Sequence, residues 1–262
     1  MSAFNSKIIW ITGASSGIGE ALVKSFAEAG ANLIISSRRK HELERVKQES
    51  AHPEKIEILP LDLEESGKAE DWVKEAWQKF GGIDILINNG GIGQFGSVID
   101  TKSAVERKIF EINYFGTIAL TKALLPMMIN QGKGRIIAIA SIAAKFGKPN
   151  LAAYSASKAA LLLYFESLKE ELHGTPLVVQ VVSPGFINTQ VTMNSLNAEG
   201  HALRKNSPAQ ENGMPADAFA KKLLNVAQSN RFHSYIGNKE LLAVPLHTLW
   251  PKLFYKLLRK PN

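Results

Sequence analysis

The chain has 262 residues, 45% hydrophobic and 21% charged, which suits one α/β domain with a substantial core and excludes extended disorder beyond the ends and one loop. It contains no cysteine, so disulfides, thiolate nucleophiles and Cys-ligated zinc are excluded, and its six histidines are scattered without ligand-like pairing, so no metal is expected. The net charge of +7 comes from Lys and Arg spread along the chain instead of clustered with aromatics, which points away from nucleic acid and toward a small polyanion.

In chain order, residues 8–12 read as a buried strand and residues 20–27 as an amphipathic helix, with Gly13, Ala14, Ser15, Ser16, Gly17, Ile18 and Gly19 between them. Glycines let a backbone approach a phosphate, and the free N–H groups and positive end of the helix favour the anion. The spacing is G-x-x-x-G-x-G, not the G-x-G-x-x-G of the common dinucleotide fingerprint. The same stretch matches G-x-S-x-G around Ser15, the pattern of a hydrolase nucleophile elbow, with Asp217 and His233 or His247 as candidate partners. An elbow on the first strand leaves no preceding loop for the oxyanion hole, which weighs against that reading.

Residues 32–36 form the next expected strand, ending in Ser37, Arg38 and Arg39. In a dinucleotide fold the position about 20 residues after the glycine loop carries an acid for a ribose 2′-hydroxyl or an Arg for a 2′-phosphate. No acid is present, so Arg38, with Ser37 and Arg39 as helpers, points to NADP(H) over NAD(H). Residues 56–61 read as a third strand closed by Asp62 and Leu63, residues 66–80 as a helix, and residues 83–87 as a fourth strand followed by Asn88, Asn89, Gly90 and Gly91. Residues 104–130 are mostly helical, with Asn113 in the middle and Pro126 marking a bend or boundary. Residues 135–140 are a buried strand that ends at Ser141.

Tyr154 and Lys158 lie four residues apart in an Ala- and Leu-rich segment, so on a helix they share a face and the ammonium can sit beside the phenol. A nearby cation is expected to lower the tyrosine pKa from about 10 and make Tyr154 a usable proton donor and acceptor. Tyr164, with Leu168 four residues later, lacks that cation and reads as core. Residues 177–182 form a sixth strand leading to Pro184, Gly185, Ile187 and Thr189, residues 190–215 a mobile polar lid, residues 217–228 a helix, and residues 234–236 a last strand. Strands alternating with helices imply right-handed crossovers and a parallel doubly wound sheet, with ligands at the strands' carboxyl ends.

The tail from residue 240 interleaves apolar and aromatic residues with Lys252, Lys256, Arg259 and Lys260, which fits a surface helix touching an anionic bilayer. The alternative, favoured by Pro245 and Pro251, is a segment packed over the substrate cleft or a neighbouring subunit. Phe186, Val191, Met193, Leu196 and Met214, with Phe95 and Phe146, point to an apolar or bulky carbonyl substrate. The first seven residues have no apolar signal region and no run of about 18 apolar residues is evident, so the expected location is cytoplasmic, with membrane contact at most peripheral.

Taken together, Thr12, Gly13, Gly17 and Gly19, Asp62, Asn88, Asn89 and Gly91, Asn113, Ser141, Tyr154 with Lys158, and Pro184, Gly185 and Thr189 make the chain resemble the short-chain dehydrogenase/reductase family over nearly its whole length. Within it, the Ser37, Arg38 and Arg39 turn and the basic apolar tail resemble the NADP-dependent, hydroxysteroid dehydrogenase-like branch. Gly90 departs from the Ala usual in the family, which is expected to loosen that turn. The resemblance implies a single-domain Rossmann fold of about seven strands with helices on both faces. It also implies hydride transfer between nicotinamide and a carbonyl or secondary alcohol. Tyr154 would exchange the proton, Ser141 would hydrogen-bond the reacting oxygen, Lys158 would bind the nicotinamide ribose, and Asn113 would hold a water leading to solvent. Thr189 and Ile187 would position the carboxamide, Asp62 and Leu63 the adenine, and Asn89 and Gly91 the neighbouring ribose. A homodimer or homotetramer through the helices of Asn113 and Tyr154 is implied as well. A non-enzymatic NADP-binding sensor is the remaining alternative.

Overall fold

Ile9 and Ile11 point to one face of the first strand and Trp10 to the other, so this strand is buried on both sides and sits at the middle of a sheet. The computed structural model describes residues 2–205 and 207–259. Its elements run β1 (Ile8–Thr12), α1 (Gly17–Glu28), β2 (Asn32–Ser36), α2 (Lys40–Glu49), β3 (Ile56–Ile58), α3 (Ala69–Phe80), β4 (Ile85–Asn88), α4 (Ser103–Phe110), α5 (Gly116–Gln131), β5 (Gly134–Ile139), α6 (Ala152–Glu171) and β6 (Leu177–Pro184). There follow β7 (Ile187–Asn188), α7 (Pro208–Glu211), β8 (Met214–Pro215), α8 (Ala216–Gln228), β9 (His233–Ile236), α9 (Ala243–Leu249) and α10 (Pro251–Leu258).

Seven strands pair in parallel in the order β3-β2-β1-β4-β5-β6-β9, and β7 pairs only with β8. The doubly wound sheet expected from the sequence is therefore present. One face packs on α1 and α8 through Leu22, Phe26, Phe219 and Leu223, the other on α3, α5 and α6 through Val73, Leu124 and Phe165. The order reverses between β1 and β4, which opens a crevice at their carboxyl ends.

The third strand is shorter than expected because Pro60 has no N–H to give the ladder. Leu59 and Leu61 still donate to Ile35 O at 3.0 Å and Ser37 O at 3.2 Å, so the chain follows β2 as far as Asp62. Pro126 does not end its helix. It lies inside α5, and the carbonyl it deprives of a partner belongs to Lys122, on the exposed side where water can serve. The Ser103–Gln131 helix is, by length and composition, apolar enough to cross a membrane. Here Ile112, Leu120, Leu124 and Met128 on its inner side are part of the core.

The expected free lid is tied down. Phe95 N–H donates to Leu196 O at 2.8 Å, Leu196 N–H to Gly93 O at 3.0 Å, and Lys102 N–H to Ala198 O at 3.1 Å, so this stretch is stapled to the loop after β4. Asn206 of the lid and residues 260–262 of the tail, including Lys260, lie outside the described residues. Of the tail, Phe254 is 4% exposed, its ring 4.9 Å from that of Phe146 and 5.1 Å from that of His247.

Helix α5 starts against the strand-end loop: a Cβ on Gly116 would lie 2.2 Å from the Leu63 carbonyl oxygen. In an open helix Gly→Ala would stabilise by about 1 kcal/mol, whereas a backbone clash of this kind costs about 1–3 kcal/mol. Gly116→Ala is therefore expected to lower the urea midpoint at unchanged m-value, and an unchanged or raised midpoint would contradict this packing.

Candidate active site

The crevice is built from strand ends. Gly13, Ser16, Gly17 and Ile18 after β1, Asn89 and Gly91 after β4, Ser141 after β5, and Pro184, Gly185, Ile187 and Thr189 at and after β6 line one cleft with Tyr154 and Lys158 of α6. Gly13 (φ +66°) and Gly17 (φ +57°) hold left-handed conformations, and a Cβ on Gly19 would fall 2.0 Å from the Gly13 carbonyl oxygen. The loop can thus fold tightly onto the start of α1 and turn backbone N–H groups toward an anion.

The Thr12 hydroxyl locks this loop to the next one. It accepts from Asn89 N–H at 3.1 Å and Gly90 N–H at 2.9 Å, while Asn89 Nδ2 donates to Thr12 O at 3.0 Å and Gly13 O at 3.2 Å. Asn89 therefore has its amide nitrogen committed to the glycine loop. Gly90 does not loosen the turn: Leu63 Cδ1 lies 2.6 Å from where its Cβ would be, so the Leu63 side chain fills the space.

The two arginines after β2, of which the sequence reading put Arg38 first, take different partners. Arg39 Nη2 donates to Ser15 Oγ and Ser16 Oγ, each at 2.9 Å, so its guanidinium lies across the mouth of the glycine loop. Arg38 pairs with Asp62 at 3.7 Å, both partly exposed, an interaction of little energetic weight. Ser37 Oγ accepts from Arg39 N–H at 3.2 Å. Asp62 also accepts from Glu64 N–H at 3.1 Å and closes the turn that carries Leu63.

Asn113 is buried and lies in a single π turn, Glu111–Phe115, between α4 and α5. The wider turn lets its side chain reach across to the loop after β4. Its Oδ1 accepts from Ile92 N–H at 2.8 Å, and its Nδ2 donates to Ile92 O at 2.9 Å and to Ser157 Oγ at 3.2 Å. Ser141 is extended (φ −168°), its Oγ accepting from Ala143 N–H at 3.1 Å and lying close enough to the Tyr154 phenol to influence its pKa. Lys158 Nζ is 2.9 Å from Ile139 O, the side chain 5% exposed. A Cβ on Gly91 would come within 3.0 Å of Asn113 Oδ1 and 3.3 Å of Lys158 Nζ, so a bare backbone at that position leaves room for both.

The expected lowering of the Tyr154 pKa is corrected by this geometry. Burial pushes the phenol above its usual value, the Ser141 hydrogen bond acting in the opposite direction. Burial likewise pulls the Lys158 ammonium down to about 8.

Several participants carried no sequence signal. Ile92, Ile139 and Ser157 act through backbone or short polar groups at ordinary positions. Gln190, Asn194 and Gln210 reach the cleft from the tied-down lid.

The hydrolase constellation is not assembled. Ser15 is bonded to Arg39, His233 Nε2 lies 2.9 Å from Ser183 Oγ, and His247 packs on Phe146, Phe254 and Tyr255. His233 is instead a structural group, held down at about 4 by burial and then by the nearby Lys145 charge. Since its folded pKa lies below the ordinary 6.5, the unfolded chain binds the extra proton first. The stability this group contributes is complete above pH 6.5 and lost as pH falls toward 4. Denaturation across that window is expected to show a flatter pH dependence for His233→Asn than for the wild type, and identical slopes would contradict the assignment.

The profile of the short chain dehydrogenase family matches residues 7–200. A Drosophila melanogaster protein described as dehydrogenase/reductase SDR family protein 7-like is 38% identical over 262 residues, covering 97% of this chain and 80% of that one. The Mus musculus dehydrogenase/reductase SDR family member 7B is 37% identical over 264 residues, covering 96% and 80%. Among solved structures, a Burkholderia phymatum short chain dehydrogenase/reductase in complex with NAD superposes with a TM-score of 0.83 at 23% identity, covering 100% of this chain and 98% of that one.

Proposed function

The chain belongs to the short-chain dehydrogenase/reductase family, a family of oxidoreductases that use nicotinamide dinucleotides, and on that premise we propose that it is an NADP(H)-dependent reductase or dehydrogenase of apolar carbonyl compounds or secondary alcohols. The observation that carries this reading is the convergence of Ser141, Tyr154 and Lys158 on one cleft with the glycine loop. That loop, with its left-handed glycines and the helix start behind it, fits a pyrophosphate. Asp62 and Leu63 would border the adenine, Asn89 and Gly91 its ribose, and Ile187 and Thr189 the carboxamide.

When bound, the cofactor supplies the hydride. Tyr154 gives its proton to the carbonyl oxygen, and the Ser141 hydroxyl hydrogen-bonds that same oxygen and orients it. The Lys158 ammonium stabilises the phenolate left behind and reaches the nicotinamide ribose. Asn113, pinned by Ile92 and Ser157, keeps the wall beside Lys158 in place.

NADPH absorbance followed with a panel of apolar ketones, aldehydes and diketones tests the proposal. Turnover is expected with wild type and a loss of at least about 100-fold with Tyr154→Phe, as removal of a general acid implies. Cofactor binding without turnover of any panel member would favour the sensor reading.

NADP preference rests on Arg39 across Ser15 and Ser16 and on Arg38 beside Asp62. A charge-assisted contact to a 2′-phosphate is worth about 1.5–3 kcal/mol, so Arg39→Ala should raise KM for NADPH by roughly 10- to 100-fold and leave NADH within about twofold. Arg38→Ala should act in the same direction. Equal effects on both cofactors would refute the preference.

Two surfaces support the proposed assembly. On the outer side of α5 and α6, Phe115, Ile129 and Leu163 are exposed, Leu163 by 63%, which suits a homodimer or homotetramer. Leu163→Glu is expected to reduce the light-scattering mass to that of a monomer, and a wild type already monomeric would remove the proposal. On the tail, Phe254 faces inward while Leu249, Trp250, Leu253 and Leu257 are exposed beside Lys252, Lys256 and Arg259, which suits peripheral contact with an anionic bilayer.

A further inference from the structure

The turn Lys239–Leu242, between β9 and α9, places one carboxylate against the wall of the cleft. Glu240 Oε1 accepts from Phe186 N–H at 3.0 Å and from Asn238 N–H at 2.9 Å. Two glycines make space for it: a Cβ on Gly185 would fall 1.9 Å from Glu240 Oε1, and one on Gly237 would fall 2.6 Å from it. The same loop is held from the other side by Gly185 N–H donating to Ile236 O at 2.9 Å. Gly185 and Ile187 line the cleft together with Tyr154 and Lys158. Any ring placed for hydride transfer near the Tyr154 phenol must lie against this wall.

From this arrangement we infer that Glu240 is a positioning residue, which fixes the loop from Pro184 to Ile187 so that it holds the nicotinamide end of the cofactor. The inference rests on the dinucleotide reading given above. Glu240 lines no part of the cleft itself and acts through the Phe186 N–H. The bond needs an acceptor, not a charge, because both of its partners are backbone amides. Its effect should therefore be confined to one half of the cofactor. The glycine loop and Arg39, which would hold the phosphates, share no hydrogen bond with Glu240.

Calorimetric titration of the full chain with NADP and, separately, with 2′-phospho-ADP-ribose, which lacks the nicotinamide, separates the two halves. Glu240→Ala is expected to weaken NADP about tenfold or more, equivalent to about 1.4 kcal/mol, and to leave 2′-phospho-ADP-ribose within about twofold. Glu240→Gln, which keeps the acceptor oxygen, is expected to restore most of the NADP affinity. Retained binding of 2′-phospho-ADP-ribose also reports that the variant is folded. Equal loss for both nucleotides, loss for neither, or no rescue by Gln would overturn the role of Glu240 while leaving the cofactor reading intact. A wild-type protein that binds neither nucleotide would overturn the cofactor reading and this inference with it.

Discussion

A positive charge is held in the interior of this protein with a carbonyl for company and no carboxylate within ion-pair distance among the described residues. Lys158 Nζ is bonded to Ile139 O, and burial draws its pKa down to about 8. Each unit of such a shift corresponds to about 1.4 kcal/mol, so an ammonium kept here costs the fold a few kcal/mol at neutral pH. A carboxylate neighbour would offset that cost and at the same time neutralise the field in the cleft. The roles proposed for Lys158 toward the Tyr154 phenol and a ribose require such an unpaired charge. The surrounding architecture serves this arrangement: β5 provides the carbonyl, α6 spaces Tyr154 from Lys158 by about one helical turn, and the bare backbone of Gly91 leaves room for the ammonium beside Asn113.

The walls of the cleft are backbone loops at the ends of parallel strands, and each is cross-braced by a side chain that does not itself meet the reacting atoms. Thr12 and Asn89 join the loop after β1 to the loop after β4. Asn113 holds Ile92, and Glu240 holds Phe186. Such braces matter because strand-end loops lack a ladder of their own, and a displacement of about 1 Å at the reacting centre can cost about 100-fold in rate. The tail belongs to this bracing. It anchors one loop through Glu240 and covers another through Phe254 on Phe146, a few residues past Ser141.

The sheet and the position of the cleft were legible in the sequence because both follow from local pattern. Runs such as Ile8 to Thr12 and Arg135 to Ala140 are apolar on both faces, and each ends in residues that only a strand-end loop would gather. What could not be read depends on contacts between distant segments. The π turn at Asn113 departs from a regular helix that the sequence around it would support equally well. That Arg39 bonds Ser15 and Ser16 depends on segments 24 and 23 residues apart in sequence. Tyr154 was expected to be acidic because Lys158 lies on its helix face, yet desolvation outweighs that proximity. A polar stretch around residues 190–205 has the composition of a free loop, and backbone pairing to Gly93 and Phe95 holds it in place. Glu240 stands in an unremarkable turn, and its role depends on the missing side chains of Gly185 and Gly237.

The central claim is that this cleft moves a hydride from a nicotinamide to a carbonyl carbon while Tyr154 supplies the proton. It is tested most directly by incubating the protein with NADPH carrying deuterium at both nicotinamide C4 positions and a carbonyl substrate in ordinary water, then locating the label by mass spectrometry. The account predicts one deuterium on the carbinol carbon, none on its oxygen, and labelled product formed at least about 100-fold more slowly with Tyr154→Phe. Product formed without deuterium at carbon, or labelled product formed at the wild-type rate by Tyr154→Phe, would contradict it.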